Sequence, residues 1–336
     1  MKKLTLFFVF LGALSGIHGQ EAGHEFRTAK DILWASPDGF DLTMDIYTPD
    51  TGKKKYPVLI IYHGGGWLIN NKSIMDQMSE YVVSHGEYVV CNVNYRLLGD
   101  QNNSVTLDQI VEDALGGVLW VKENISEYGG NPKKIAVTGD SAGGHLAEMV
   151  LLAANKLCSS GFTEDVYCFK PSYLPEGKSA EDIAKKNGLE VQAAVISYGA
   201  FDLYASAKGG FEKPSNFFWN MGGAEPRGIF GSDHNYEDDP DRYQSVSPVY
   251  LLKEGMNLPP QFFHVGSLDQ TTTPSSVKSY YEEVVKKGYE AEYWVHEGRN
   301  HAYLDSGTNE FLGLTFEKDA IEPLDKIIAF LDGVFY

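Results

Sequence analysis

The sequence is short of cysteine and of positive charge, and each shortage excludes a class of function. Its 336 residues include 3 cysteines, and no Cys/His spacing matches that of a zinc site. Lys and Arg total 28 against 46 Asp and Glu, which gives a formal net charge of −18. Nucleic acids and anionic membrane surfaces both require a basic protein face. We therefore expect neither as a partner, and the acidity fits a soluble protein acting on a neutral substrate.

Phosphate-binding and metal-binding motifs are missing as well. Three consecutive glycines occupy 64–66, but they lack the Lys and Ser/Thr of a P-loop and the glycine spacing of a dinucleotide site. The acidic run at 233–241 lacks the spacing of an EF-hand, so we interpret it as a solvated loop. We expect no metal and no organic cofactor.

The N-terminus has the three-part layout of a secretory signal peptide. Met1–Lys3 supplies positive charge, Leu4–Leu14 is apolar, and small residues dominate Ser15–Gly19. The apolar run is too short to anchor the chain in a membrane. We predict that residues 1–19 are a signal peptide and that the mature protein is periplasmic or secreted.

The predicted export bears on the cysteines. Cys158 and Cys168 lie close together in a polar segment, and an exported protein meets an oxidising compartment. We therefore predict a disulfide bond between them. Cys91 lies in an apolar run and is expected to be a buried free thiol.

Short apolar runs alternate with stretches of helical periodicity. Pro57–Tyr62 is continuously apolar, as expected of a strand buried on both faces, whereas 106–127 repeats its apolar residues at helical spacing. Strands that alternate with helices predict an α/β fold with a mostly parallel sheet covered by helices. We expect a single domain over residues 20–336. The eight predicted strands are 26–35, 40–47, 57–62, 87–94, 134–139, 191–198, 261–266 and 290–296.

Two long irregular stretches, 156–188 and 204–244, interrupt this alternation. Such insertions in a compact fold are usually functional loops or lids, and ligands bind at the edge of the sheet that both stretches follow. The second stretch is rich in Gly, Asn and aromatic residues. We expect it to form a small cap in which Phe217 and Trp219 contact substrate. The alternative is a solvated excursion without substrate contact.

A serine lies between glycines at the end of one predicted strand. Gly139-Asp-Ser-Ala-Gly143 follows the strand-forming run Ile135–Thr138 and precedes a helix-forming sequence. This is the Gly-x-Ser-x-Gly nucleophile elbow in its required context, where a tight turn leaves no room for side chains beside the serine. Ser141 is therefore the candidate nucleophile, on a strained backbone. The alternative is an ordinary Gly-rich strand-to-helix turn.

A serine hydroxyl needs a base within hydrogen-bond reach, and in such folds the acid and the base follow the serine in that order. His301 comes just after the last predicted strand, in a loop able to reach across the sheet edge; His296, inside the strand, is the alternative. Asp269 follows the preceding strand, where a carboxylate holds the imidazole tautomer and stabilises the imidazolium. Asp202, after the 191–198 strand, is the alternative acid.

The oxyanion of a tetrahedral intermediate requires preorganised N–H donors. The glycines at 64–66 follow a predicted buried strand and offer backbone amides without side-chain hindrance. We predict an oxyanion hole formed by the amides of Gly65, Gly66 and Ala142, the last at the N-terminus of a helix. Trp67, directly after the glycines, is a further candidate for substrate contact.

Taken together, these motifs resemble those of the α/β-hydrolase superfamily. Within it the chain is similar to the esterases related to hormone-sensitive lipase and to the bacterial bifunctional feruloyl and acetyl-xylan esterases. The resemblance runs from about Phe40 to the C-terminus. It implies the α/β-hydrolase fold and cofactor-free ester hydrolysis by Ser141, His301 and Asp269. The motifs are His-Gly-Gly-Gly-Trp at 63–67, Asn-Tyr-Arg-Leu at 94–97, Gly-Asp-Ser-Ala-Gly-Gly-His at 139–145, Gly-Ser-Leu-Asp at 266–269 and Asn-His-Ala at 300–302.

The same resemblance implies a substrate class. The elbow motif is similar to that of the hormone-sensitive-lipase group, whereas Asp41–Pro49 resembles the opening of the polysaccharide-decorating esterases. We expect an exported serine esterase that removes acetyl or feruloyl-type groups from plant or algal polysaccharide. One alternative is a general short-chain carboxylesterase. The other is a binding protein on a hydrolase fold without catalysis.

Overall fold

The short apolar runs of the sequence form a single eight-stranded sheet. The structure, a computed structural model, describes residues 23–336, and the predicted signal peptide at 1–19 lies outside the described residues. The strands are β1 Phe26–Ala35, β2 Leu42–Pro49, β3 Tyr56–Tyr62, β4 Val89–Val93, β5 Gly130–Asp140, β6 Ala193–Ser197, β7 Gln261–Gly266 and β8 Ala291–His296. Across the sheet they follow the order β1-β2-β4-β3-β5-β6-β7-β8.

The sheet is parallel except at one edge. β1 pairs with β2 and β2 with β4 in antiparallel fashion, and every pair from β4 to β8 is parallel. All residues of β3 and β4 are buried, because parallel strands of this kind have both faces covered. Cys91 lies in β4 as a buried free thiol. The predicted mostly parallel, eight-stranded α/β sheet is confirmed.

The periodic stretches of the sequence form the helices around the sheet. The helix after Ser141 is buried along its whole length, including the polar side chains of His145 and Glu148. No helix among residues 23–336 is both long and apolar enough to cross a membrane. The helices are α1 Asp76–His85, α2 Asp100–Asn103, α3 Leu107–Asn124, α4 Ala142–Leu152, α5 Ala180–Lys185, α6 Leu203–Lys208, α7 Phe217–Gly222, α8 Pro240–Gln244, α9 Pro248–Leu251, α10 Pro274–Lys286, α11 Phe316–Asp319 and α12 Ile321–Phe335; a hairpin of β9 Thr308–Asn309 and β10 Leu314–Thr315 follows β8.

One arginine of the second insertion contacts a loop of the first insertion that a disulfide closes. Cys158 and Cys168 are bonded, with their Cα atoms 5.7 Å apart, as the sequence predicts. The loop that they close carries Phe162 and Glu164. Arg242 of the second insertion lies 5.5 Å from the Phe162 ring and donates a hydrogen bond to the Glu164 carboxylate at 2.9 Å. The first insertion therefore supports the second.

Candidate active site

Ser141 lies on the tight turn between β5 and α4. Its φ of 53° and ψ of −114° are a strained combination for a residue with a side chain. The turn itself is closely packed, since a Cβ on Gly143 would overlap the carbonyl oxygen of Tyr62, and one on Gly139 would overlap the carbonyl of Gly143. The Ser141 N–H donates to the Ser197 carbonyl at 2.9 Å, which ties the turn to the neighbouring strand.

The structure brings Ser141, His301 and Asp269 together. His301 follows β8, and its Nε2 lies 2.8 Å from the Ser141 hydroxyl oxygen. Its Nδ1 lies 2.7 Å from Oδ2 of Asp269, which follows β7. All three side chains are buried. The three groups therefore form a continuous hydrogen-bonded chain from carboxylate to hydroxyl, across 160 residues of sequence.

The loop after β7 holds the Asp269 carboxylate in place. Its Oδ1 accepts hydrogen bonds from the N–H groups of Thr271 and Thr272 at 2.8 Å and 3.0 Å. The Thr272 hydroxyl donates to the carbonyl of Tyr198, at 2.7 Å, and lies 3.2 Å from Asp269 Oδ2. Because these donors fix the orientation of the carboxylate, Oδ2 points toward His301.

The structure places the alternative acid and base elsewhere. Asp202 caps α6, where its carboxylate accepts a hydrogen bond from the Ala205 N–H at 2.8 Å. His296 is the last residue of β8, and its Nε2 lies 2.9 Å from the carbonyl oxygen of Asp319. Neither side chain has a hydrogen bond to Ser141 or His301 among the described residues.

Gly64–Gly66 follow β3 and form the loop predicted as part of an oxyanion hole, which we call the oxyanion loop. Gly65 and Gly66 have φ values of 118° and 60°, and a Cβ on Gly65 would overlap the carbonyl of Ile69. The Gly65 carbonyl accepts hydrogen bonds from the N–H groups of Leu68 and Ile69, each at 3.1 Å. Among the described residues, the N–H groups of Gly65, Gly66 and Ala142 donate no hydrogen bond to the protein. They are free to bind a ligand.

His63 supports this loop from below. Its ring stacks on Tyr95, with centroids 4.3 Å apart, and its Nδ1 lies 2.7 Å from the Gly64 carbonyl oxygen. The Tyr95 hydroxyl donates to the His63 carbonyl at 2.6 Å. Burial lowers the pKa of His63 to about 4, so the ring is neutral at physiological pH and Nδ1–H can donate to Gly64. Its position indicates a structural brace.

The predicted substrate contacts differ in exposure. Trp67 is buried against the rings of His145 and Phe211, at 5.1 Å and 5.7 Å. Trp219 is 0% exposed, and its indole N–H donates to the Phe211 carbonyl at 2.9 Å. It therefore packs inside the insertion and presents no surface to a ligand. Phe217 is 59% exposed, and its contact with substrate stays a prediction.

Phe218, and not one of the two aromatic residues predicted from the sequence, lies against the oxyanion loop. A Cβ on Gly66 would lie 2.8 Å from the Phe218 ring, so α7 of the second insertion rests on the oxyanion loop. Gly222, at the other end of α7, packs equally closely against the Leu68 carbonyl. In the sequence, only its position between Phe217 and Trp219 indicated that Phe218 lies near the site. A short helix gives no period long enough to tell which of its faces is covered.

No group of three or more His, Cys, Asp or Glu side chains among residues 23–336 is arranged to hold a metal ion.

Comparison with known proteins agrees with this geometry. The BD-FAE family model matches residues 44–283, a segment that contains Ser141 and Asp269 and ends before His301. The chain belongs to the BD-FAE family. Its resemblance to α/β-hydrolase esterases is confirmed at the level of family and fold.

Individual relatives carry esterase names. The chain is 29% identical over 252 residues to esterase LipQ of Mycobacterium tuberculosis, which covers 73% of this chain and 50% of LipQ. It is 33% identical over 110 residues to carboxylesterase NlhH of the same species, over 33% of each chain. The chain thus spans half the length of LipQ and a third of the length of NlhH.

Solved structures share the fold. Esterase 2 of Thermogutta terrifontis matches with a TM-score of 0.63 at 21% identity, covering 91% of this chain and 95% of that chain. Its propionate-bound form matches with a TM-score of 0.61 at 22% identity, covering 91% and 94%. At such identities the likeness concerns the fold alone.

Proposed function

We propose that this protein is a serine carboxylesterase that works by acyl transfer through Ser141, His301 and Asp269. The observation that carries the proposal is the pair of hydrogen-bond distances, 2.8 Å from Ser141 to His301 and 2.7 Å from His301 to Asp269. A hydroxyl, base and carboxylate in this geometry form the general arrangement for activating a serine nucleophile.

In the first step Ser141 attacks the ester carbonyl while His301 Nε2 accepts the hydroxyl proton. Asp269 keeps the imidazole oriented and stabilises its positive charge. The carbonyl oxygen becomes an oxyanion, which the N–H groups of Gly65, Gly66 and Ala142 bind at the N-terminal end of α4. His301 then returns the proton to the departing alcohol, and the acyl group remains on Ser141.

In the second step water replaces the alcohol. His301 takes a proton from the water molecule, which attacks the acyl carbonyl, and the same amides bind the second oxyanion. Collapse of this intermediate releases the carboxylic acid, and His301 returns the proton to Ser141. Both steps use only side chains and amides of this chain.

For the substrate we propose acetyl or feruloyl-type esters of plant or algal polysaccharide. Membership of the BD-FAE family supports an ester substrate, and the aromatic residues of the second insertion, among them Phe211 and Phe218, offer apolar surfaces near the oxyanion loop. Export supports a polymeric substrate outside the cell. The signal-peptide pattern at 1–19 and the Cys158–Cys168 disulfide support export.

A general short-chain carboxylesterase is the second candidate. It is favoured by the Phe218 ring, which lies so close to Gly66 that it narrows the space beside the oxyanion loop. The carboxylesterase name of the relative NlhH agrees with it.

Hydrolysis of p-nitrophenyl acetate by the purified wild type and by the Ser141→Ala variant tests the proposal. We expect the variant to lose at least about 10⁴-fold in kcat and to keep the wild-type unfolding curve, because only one hydroxyl is removed. Ser206→Ala, which alters an exposed serine of α6, is the matched control and should keep full activity. Activity retained by Ser141→Ala would contradict the assignment.

A substrate panel separates the two candidates. Release of ferulate from methyl ferulate or of acetate from acetylated xylan is expected, alongside hydrolysis of p-nitrophenyl acetate. Good hydrolysis of p-nitrophenyl acetate, with no ferulate released from methyl ferulate and no acetate released from acetylated xylan, would favour the general carboxylesterase.

Mass spectrometry of the N-terminus tests the predicted export. The protein recovered from the host's exported fraction should start near residue 20, and retention of residues 1–19 would contradict export.

A further inference from the structure

Asp140, directly before Ser141, has no part in the mechanism above, yet its surroundings are unusual. Its side chain is 2% exposed, and its Oδ1 has no hydrogen-bond partner in the part of the chain that the structure describes. No side chain caps the N-terminus of α4. Instead the Asp140 carboxylate lies directly against Gly64, where a Cβ would overlap Oδ2. A buried carboxylate of this kind is costly, so the site must contain compensating interactions.

Tyr198, just after β6, connects Asp140 with the loop of His301. Its φ of 38° lies in the left-handed region, which a bulky residue rarely adopts. Its ring packs edge-on against the His301 imidazole, with centroids 4.9 Å apart. Its hydroxyl accepts a hydrogen bond from the Leu304 N–H at 3.3 Å, and its carbonyl accepts the hydroxyl of Thr272. Tyr198 therefore touches the loops of both the base and the acid.

A second carboxyl group, that of Asp305, lies within electrostatic reach of Asp140. Burial raises the pKa of Asp140 to about 6, while the charge on His301, the Gly64 N–H and the Tyr198 hydroxyl oppose that rise. Burial, followed by the negative charge of Asp140, raises the pKa of Asp305 well above its usual range. The negative charge of Asp140 therefore opposes ionisation of Asp305.

We propose that Asp140 is a positioning residue whose carboxylate, supported by Tyr198, aligns the oxyanion loop and stabilises the protonated form of His301. The inference rests on the proposed function, which makes His301 the base. Asp269 binds His301 directly at Nδ1, whereas Asp140 acts through space from the end of a different strand. Because His301 is positive in each transition state, a second fixed negative charge lowers the barrier.

The groups that face Asp140 and His301 come from several strand ends. Of these, His63 is neutral because burial lowers its pKa to about 4, and burial raises the pKa of each tyrosine far above neutrality. The charged groups that face His301 are therefore the carboxylates of Asp140 and Asp269. The facing groups are His63 after β3, Tyr95 after β4, Tyr198 after β6, Asp269 and Thr272 after β7, and Tyr303 and Asp305 in the loop of His301 itself.

The pH dependence of p-nitrophenyl acetate hydrolysis by Asp140→Asn tests the proposal. We expect kcat to fall about 10- to 100-fold with KM changed less than about threefold, as for a group that acts in the transition state. The acid limb of the kcat/KM profile should move to lower pH by about 0.5–1 unit, because losing a nearby negative charge disfavours protonation of the base.

Two tyrosine variants form a matched pair that does not alter any carboxylate. Tyr198→Phe keeps the ring against His301 but removes the hydroxyl beside Asp140, and we expect kcat to fall about three- to tenfold. Tyr303→Phe removes an equally buried hydroxyl, which hydrogen-bonds with His264 Nδ1 at 2.6 Å and not with Asp140. It should keep the pH profile of the wild type. The pair decides the question if Asp140→Asn does not fold by circular dichroism.

The outcomes separate the inference from the proposed function. Wild-type kcat and an unmoved acid limb in Asp140→Asn would overturn the inference, as would equal losses of kcat in Tyr198→Phe and Tyr303→Phe. Neither result touches the role of Ser141. By contrast, full activity in Ser141→Ala would overturn the proposed function whatever Asp140 does.

Discussion

The strand ends and the second insertion hold their functional side chains in different ways. Ser141, Asp269 and His301 each follow a strand of the parallel sheet within a few residues, and ladder hydrogen bonds fix the register of those strands. The second insertion instead consists of short helices and loops, held by aromatic contacts and by Arg242. The backbone thus fixes the candidate catalytic groups, whereas side-chain packing positions the cap.

This difference separates chemistry from selectivity. A change at a strand end should alter turnover of every ester, because all substrates use the same nucleophile, base and amides. A change in the insertion should alter the ratio of rates between esters, because it reshapes the space beside the oxyanion loop. The variants below test that separation, in decreasing order of expected effect.

Asp269→Asn should have the largest effect of these variants. We expect kcat to fall about 10³- to 10⁴-fold for every ester tested, because the amide favours the wrong imidazole tautomer and does not stabilise its charge. Asp202→Asn is the control, since Asp202 caps α6 and has no hydrogen bond to His301 in the described residues. Equal losses in the two variants, or a loss only in Asp202→Asn, would show that the acid has been misassigned.

Removing the disulfide should affect stability and the cap. We expect the double variant Cys158→Ser, Cys168→Ser to lose about 2–3 kcal/mol of unfolding free energy, as for a loop of this length. Urea denaturation followed by circular dichroism measures it. Since the closed loop supports Arg242, kcat/KM for methyl ferulate should fall more than that for p-nitrophenyl acetate. Equal changes for the two esters would argue against a link between this loop and selectivity.

Phe218→Ala should have the smallest effect, about tenfold and confined to selectivity. Removing the ring that lies against Gly66 opens space beside the oxyanion loop, so the ratio of kcat/KM for p-nitrophenyl butyrate to that for the acetate should rise. Phe311→Ala, which removes a ring that is 91% exposed and lies outside the second insertion, is the matched control and should leave the ratio unchanged. An unchanged ratio in Phe218→Ala would remove this residue from the acyl site.

The strand ends could be predicted because strands carry a strong local signal. The apolar runs located all eight strands to within a few residues, and Ser141, Asp269 and His301 were chosen for their positions after three of them. Their hydrogen bonds then follow from the topology, since parallel strands bring their carboxyl ends to one edge. The order of the strands was not predicted, because pairing depends on contacts that no local pattern encodes.

The insertion and the surroundings of His301 were harder to predict. Trp219 and Phe218 are adjacent in sequence, yet one is sealed inside the insertion and the other lies on Gly66. A six-residue helix is too short for periodicity to distinguish the two faces. Tyr198 has a φ of 38°, which nothing in the identity of a tyrosine indicates. Such features arise from long-range packing, which the sequence specifies only as a whole.

Both steps of the proposed reaction depend on Ser141 as the activated nucleophile. Reaction of the active protein with a fluorophosphonate, followed by peptide mass spectrometry, measures which residue is modified. We predict a single adduct on Ser141, formed at the rate at which hydrolysis of p-nitrophenyl acetate is lost, and none in His301→Ala over the same time. An adduct on another residue, or complete inhibition with Ser141 unmodified, would contradict the account.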